Sequence, residues 1–319
     1  MKIFAGLLVA LLAASGPAPV PAQDAPSITI AASTFDSTTT GLYAVKAGLF
    51  KKAGLNVTFV PMNPSAILPA LAGGTVQFAN SNLLNVIEAH ARHAPFTLVA
   101  PSAMFNEASV NGYVGLVVHK DSPIQSGRDF NGKTVAVPSI GDLNTLAAKS
   151  WVDKNGGDSA TVRFVEMPAS TALPALTDNR IDATILTTPF LLQATDGGKV
   201  RVLADSYTAI ARQFLGIGWL TTEDYAAKNR DVVERFVRVM REAAVYCNAH
   251  QSETVDMMAE LAKLDPAVER RMKRAVFAEY VVPSMIQPLI DAAAKYKVID
   301  ASFNAQELVS PYALKPPSR

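Results

Sequence analysis

The residues able to do chemistry are mostly neutral hydrogen-bonding groups, and they come in short clusters. Ser33-Thr34-Phe35-Asp36, Met62-Asn63, Asn80-Ser81-Asn82, Pro138-Ser139-Ile140-Gly141-Asp142 and Thr187-Thr188-Pro189-Phe190 carry them. Phe35, Tyr43, Phe105 and Phe190 lie in or near these clusters. Hydroxyls and amides beside aromatic rings suit non-covalent capture of a small molecule, with polar atoms bonded and a flat face stacked. The same Ser, Asn and Asp residues also suit helix caps. No Gly-rich phosphate loop, no Gly-x-Ser-x-Gly turn and no carboxylate pair with a His partner stands out, so catalytic chemistry is not indicated. His90 and His93 are three apart with Glu88 near, a spacing open to metal. No further cluster at zinc-type spacing completes a ligand set, and a solvated helix end is the simpler reading. No metal and no cofactor are expected. Cys247 is the only cysteine, read as a small buried apolar residue on a helix.

Charge and the N-terminus set the compartment. Lys2 precedes an apolar run, Ile3 to Ala14, and then the small Pro-rich stretch Ser15 to Ala22. This is the pattern of a secretory signal peptide, residues 1–22, with Val20-Pro21-Ala22 as the cleavage tripeptide. The run is short of the roughly 20 apolar residues that span a bilayer. Removing it takes away only Lys2 and leaves 28 basic and 28 acidic residues. A formal charge of zero carries no basic footprint, so no nucleic acid is expected as a partner. The mature chain of about 297 residues is long enough for two cores.

The clusters must be positioned by repeated elements, because part of the chain is written twice. Val57 to Leu71 recurs as Val162 to Leu176 at an offset of 105 residues, identical at nine of fifteen positions. Chance would give about one identity, so this is an internal repeat. The offset is domain-sized. In the first copy, Ser27 to Ala32 and Val57 to Val60 read as strands, with one helix, Thr38 to Gly54, between them. Ser65 is placed as the next N-cap, with Pro69 in the first turn. Val76 to Ala79 is the third strand and Asn82 to Ala91 the helix after it. In the second copy, Thr134 to Val137 is a strand, and Ser139 and Asp142 cap the helix Leu143 to Asn155. Val162 to Val165 and Ile181 to Leu186 are its next strands, with a helix opened by Ser170 between them and another opened by Thr187 to Phe190 after. Two extended runs, Tyr113 to His119 and Phe214 to Leu220, cross between the copies.

Alternating strands and helices predict an α/β chain, each half a parallel-rich sheet with helices on both faces. The second half, 113–214, is inserted in the first, 27–112 with 215–312, whose later helices return to cover it. The polar clusters then fall at the C-terminal ends of strands, where such sheets present ligand sites. The expected cleft residues are Ser33, Thr34, Phe35, Asp36, Tyr43, Asn63, Ser81, Asn82, Phe105, Ser139, Asp142, Thr188 and Phe190. Residues 316–319 are expected to be a loose tail.

Three passages resemble the solute-binding proteins of ABC importers for nitrate, sulfonates, taurine and thiamine-type pyrimidines. They are Gly41 to Val57, Asp129 to Val137, and Ala175 to Ala183 followed by Pro189-Phe190. The resemblance implies a type II-like periplasmic binding protein with a ligand cleft between two lobes. It also implies a monomer that hands its solute to a membrane permease and is not an enzyme. One departure, Gly74-Thr-Val-Gln77 where the family has Gly-x-x-Asp, is expected to bear on ligand subtype. Two other readings stay open. One is an enzyme on the same scaffold, like the pyrimidine-precursor synthase, against which the lack of a Cys cluster argues. The other is the binding component of a non-ABC importer. Because the clusters hold no Lys or Arg, the expected ligand is a small organic molecule, sulfonate-like or aminopyrimidine-like. Helix starts at Ser139 and Thr188 would hold an acid group.

Overall fold

The computed structural model describes residues 25–107 and 112–317; the expected signal peptide and the last two residues of the expected tail lie outside these. The strands are β1 (Ser27–Ala32), β2 (Asn56–Pro61), β3 (Phe78–Asn82), β4 (Phe96–Pro101), β5 (Ala103–Asn106), β6 (Val114–His119), β7 (Thr134–Val137), β8 (Arg163–Glu166), β9 (Ala183–Thr187), β10 (Val200–Ala204), β11 (Gln213–Leu215), β12 (Ile217–Thr222) and β13 (Val276–Phe277). The helices are α1 (Thr39–Lys46), α2 (Leu49–Lys52), α3 (Pro64–Ala72), α4 (Leu83–Ala91), α5 (Leu143–Lys154), α6 (Ala169–Thr177), α7 (Phe190–Asp196), α8 (Glu223–Lys228), α9 (Arg230–Ala249), α10 (Val255–Ala262), α11 (Pro266–Arg271) and α12 (Gln287–Lys295).

Two five-stranded sheets repeat one design. The first runs β2-β1-β3-β12-β4; the second, read from its far edge, runs β8-β7-β9-β6-β10. The first three strands of each are parallel, and one antiparallel strand follows, β12 or β6. This matches the expected parallel-rich α/β class. Each antiparallel strand is a crossing segment, so its pairing joins residues far apart in the chain. Between the sheets, β11, β5 and β13 form a third small sheet, with Phe214 opposite Phe105.

Local chemistry explains most boundaries. The helix expected over 38–54 is broken after α1, because Gly48 adopts φ +69° and α2 restarts there. Only glycine holds that conformation at no steric cost. Helix α3 starts at Pro64, so Ser65 is its second residue and not its cap. Ser170 likewise is the second residue of α6. Pro69 lies inside α3, and Pro174 lies inside α6 at the same offset. Each removes an N–H from a bond to the carbonyl four residues back. Those carbonyls belong to Ser65 and Ser170, both exposed and open to water. The third strand runs on past Ala79 to Asn82, because Asn80, Ser81 and Asn82 pair with Trp219, Gly218 and Ile217.

The long helix α9 buries Val232, Val233, Phe236, Val237, Met240, Ala243, Ala244 and Cys247 along one face. Phe236 stacks on Phe78 at 3.9 Å and meets Trp219 edge-on at 5.8 Å. Burying one such ring is worth about 1.5–3 kcal/mol, so this face fixes the first sheet against α9. The C-terminal helices do more than cover the first sheet. Tyr296, just past α12, donates to Asp153 on α5 at 2.8 Å, and Arg271 pairs with Asp196 of α7 at 2.8 Å.

Candidate ligand-binding cleft

The ends of β1, β3, β7 and β9 converge on one cavity of about 400 Å³. The first sheet gives Ser33, Asn80, Ser81 and Asn82; the second gives Pro138, Asp142, Asn144, Thr187 and Thr188. Phe105, Tyr113 and Tyr207 close it from the connecting segments. Phe105 contacts both tyrosine rings, at 5.8 Å and 4.9 Å. Among the described residues no Lys or Arg lines the cavity, and Asp142 is its one acid.

Two buried wall atoms lack partners among the described residues. Asn80 is 3% exposed and Thr188 is 8% exposed, and neither the Asn80 Nδ2 nor the Thr188 Oγ1 has a hydrogen-bond partner there. An unmet buried polar group costs about 1–3 kcal/mol. The two residues stand at strand ends of different sheets and line the same space, so one solute can touch both. Part of the polar wall, on the side of the second sheet, is already bonded. Tyr207 donates to Asn144 Oδ1 at 3.0 Å, and Asn144 donates to Asp142 Oδ2 at 2.9 Å. Asp142 Oδ1 accepts the Thr145 N–H at 2.8 Å, capping α5. Burial pushes the Asp142 carboxyl up from the usual range and raises the Tyr207 phenol well above it, so the phenol stays a neutral donor.

The structure divides the expected residues. Ser33, Phe35, Ser81, Asn82, Phe105, Asp142 and Thr188 line the cavity. Thr34 and Asp36 line a smaller one of about 140 Å³, which shares Phe35, Tyr113 and Thr188 with the first. Asp36 is committed elsewhere: Arg274 donates to it at 2.9 Å, and so do the Ala275 N–H and the Thr39 hydroxyl. Asn63 lines an adjoining open pocket with Met62 and Lys263, which shares Ser33 and Phe35 with the cavity. Tyr43 is no cleft ring, since it stacks on Tyr246 at 4.3 Å behind α1. Phe190 packs instead against the core around Leu176 and Leu186. Ser139 lies in a neighbouring groove with Lys149 and Tyr296 and does not line the cavity itself, although the helix start that follows it, Asp142 to Asn144, does. Tyr113, Asn144 and Tyr207 were missed. Asn144 and Tyr207 are separated by 63 residues, and no local pattern announces their bond.

The family model described as NMT1/THI5 like matches residues 37–254. The chain belongs to the NMT1/THI5-like family. A Bacillus subtilis protein provisionally named an aliphatic sulfonates-binding protein is 23% identical over 269 residues, 82% of this chain and 78% of its own length. The periplasmic aliphatic sulphonate binding protein SsuA of Escherichia coli has a similar structure, with TM-score 0.75 and 18% identity over 89% of this chain and 97% of its own. The alkanesulfonate-binding protein SsuA of Xanthomonas axonopodis pv. citri, solved with MOPS bound, gives TM-score 0.71 and 17% identity over 91% and 99%. The fold is that of periplasmic binding proteins.

Within this family frame the departure at Gln77 has a structural meaning. Gln77 Oε1 accepts the Thr29 N–H at 2.8 Å. Asp182, offset by 105 residues, accepts the Thr134 N–H at 2.9 Å. Both tie the first strand of a sheet to the start of its third. Gln77 precedes β3, at the end opposite the cleft, so the expectation that it bears on ligand subtype is corrected.

Proposed function

We propose that the chain is the periplasmic solute-binding component of an ABC importer, exported by cleavage near Ala22. It captures one small organic molecule between residues 27–112 with 215–312 and residues 113–214, and passes it as a monomer to a membrane permease. The observation that carries this is that Asn80 and Thr188, at strand ends of two sheets, line one cavity and each carry a buried polar atom without a partner among the described residues. A solute bonded to both binds the closed arrangement better than the open one, which is all that ligand-driven closure requires. Phe105 and Tyr113 give a flat or aliphatic body something to pack on. An amide N–H and a hydroxyl suit an acceptor-rich group such as a sulfonate. An aminopyrimidine is the second class, with the rings as its support, although both Asp142 oxygens are already bonded within the wall. The sulfonate names of the Bacillus and Escherichia relatives point to the first class. Against an enzyme stands Cys247, a thiol on the buried face of α9 that is pushed up to about 12 by desolvation.

A thermal-shift screen of the mature protein tests the reading with alkanesulfonates, aminopyrimidines, nitrate and phosphate. Stabilisation by an organic class is expected. Stabilisation by nitrate or phosphate alone overturns it.

A further inference from the structure

The smaller cavity has a chemistry of its own. Its walls include Phe35, Met258, Leu264 and Met272, and its floor holds Glu269. Glu269 is 2% exposed, and among the described residues its carboxylate makes no hydrogen bond and no ion pair. The nearby guanidinium of Arg274 is already used, donating to Asp36, the Gln251 carbonyl, Thr39 and Thr254. The cluster thus holds two carboxylates, Asp36 and Glu269, for one cation. A buried anion without a partner is costly. Desolvation and the Asp36 charge accordingly raise the Glu269 pKa, against the pull of Arg274.

The missing partner is a positive group, and the cavity says which kind. Its lining supplies sulfur and aliphatic carbon with an aromatic face at Phe35, 56% exposed, and at Tyr113. Alkylated ammonium is attracted to aromatic faces and tolerates apolar walls, where a bare metal ion would need several oxygen ligands. Phe35, Tyr113 and Thr188 are common to both cavities, so one molecule can extend from one into the other.

We infer that the 140 Å³ cavity is an organic-cation subsite in which Glu269 pairs with an alkyl-substituted ammonium group of the solute. This rests on the solute-binding reading and adds to it that the solute carries a cationic arm beside the part held by Asn80 and Thr188.

The test uses the full mature chain with its methionine methyl groups isotopically labelled. Tetramethylammonium is titrated as the probe, with tert-butanol as a neutral molecule of similar size. The methyl signals of Met258 and Met272 are expected to shift saturably with tetramethylammonium and much less with tert-butanol. Glu269→Gln is expected to weaken the cation at least tenfold and leave tert-butanol unchanged. Ala262→Phe, which fills the cavity and keeps Glu269, is expected to abolish both responses, and it decides the matter should the Gln variant fold poorly. No response at the two methionines, an equal response to the neutral molecule, or an unchanged affinity in Glu269→Gln overturns the subsite. Such a result alongside a solute bound in the larger cavity leaves the solute-binding reading standing; failure of the organic screen is what removes that.

Discussion

At the scale of single residues, capping and ligand binding separate by what each side chain already holds. Asn82 Oδ1 accepts the Leu84 N–H at 2.8 Å and so caps α4. Asn82→Ala is expected to lower stability by about 1 kcal/mol, visible in a thermal melt of the empty protein. Thr188 Oγ1 holds nothing among the described residues. Thr188→Val is expected to leave that melt unchanged or slightly raised and to weaken solute binding several-fold, as titration calorimetry would read it. The sequence marks both residues as polar groups at strand ends. It does not show which has a spare valence, because that depends on neighbours brought in by folding. Asp36 makes the same point more sharply, since its partner Arg274 is 238 residues away. Tyr43 and Phe190 are the corresponding errors among aromatics: rings near a site by sequence, half-buried against helix packing and away from the cavity by structure. Cys247 gives a further check. Buried and with its thiol pushed up to about 12, it is expected to resist alkylation by iodoacetamide at pH 8 until the chain is unfolded.

At the scale of elements, the repeat made the parallel half of each sheet readable. Strand, helix and strand recur at an offset of 105, down to Pro69 and Pro174 inside their helices. Strands β4 and β10 escaped, and so did the antiparallel direction of β6 and β12. Their pairing is set by the crossing segments and leaves no local trace. One such segment bears on pH. Asp205 follows β10 and accepts the Tyr207 N–H at 3.1 Å, holding the turn that carries Tyr207 to the cavity. Burial pushes its carboxyl up to about 6. A raised carboxyl means the folded state binds the proton more tightly than the unfolded chain. This group's contribution is therefore favourable at low pH and is lost as pH rises from about 4 through about 6. Asp205→Asn keeps the acceptor and removes the charge. It is expected to change stability little at pH 4 and to raise it by up to about 2 kcal/mol at pH 7.5, measured by denaturant unfolding at both. Gly216 marks the return from β11 to β12, and a Cβ there would stand 2.2 Å from the Phe105 ring. Gly216→Ala is expected to displace that ring and weaken solute binding as well as stability, by calorimetry and melt together.

At the scale of the whole molecule, the account is of two similar sheets that share a polar gap. The α/β class, the doubled design and the location of the gap at strand ends were legible from residue patterns. The depth of the gap was not, because it is set by Phe105, Tyr113 and Tyr207 packing together from segments far apart in the chain. Contacts such as Arg271 with Asp196 and Tyr296 with Asp153 tie the C-terminal helices to the second half. The first is an exposed pair worth at most about 1 kcal/mol. The central claim is that one organic solute is held from both sheets at once. It is tested most directly by titration calorimetry of the strongest organic hit against wild type, Asn80→Ala, Thr188→Val and the double variant. The account predicts that each single change weakens binding several-fold and that the double change weakens it by more than either alone, with the melting temperature of the empty protein preserved throughout. Affinity unchanged in the double variant would contradict it.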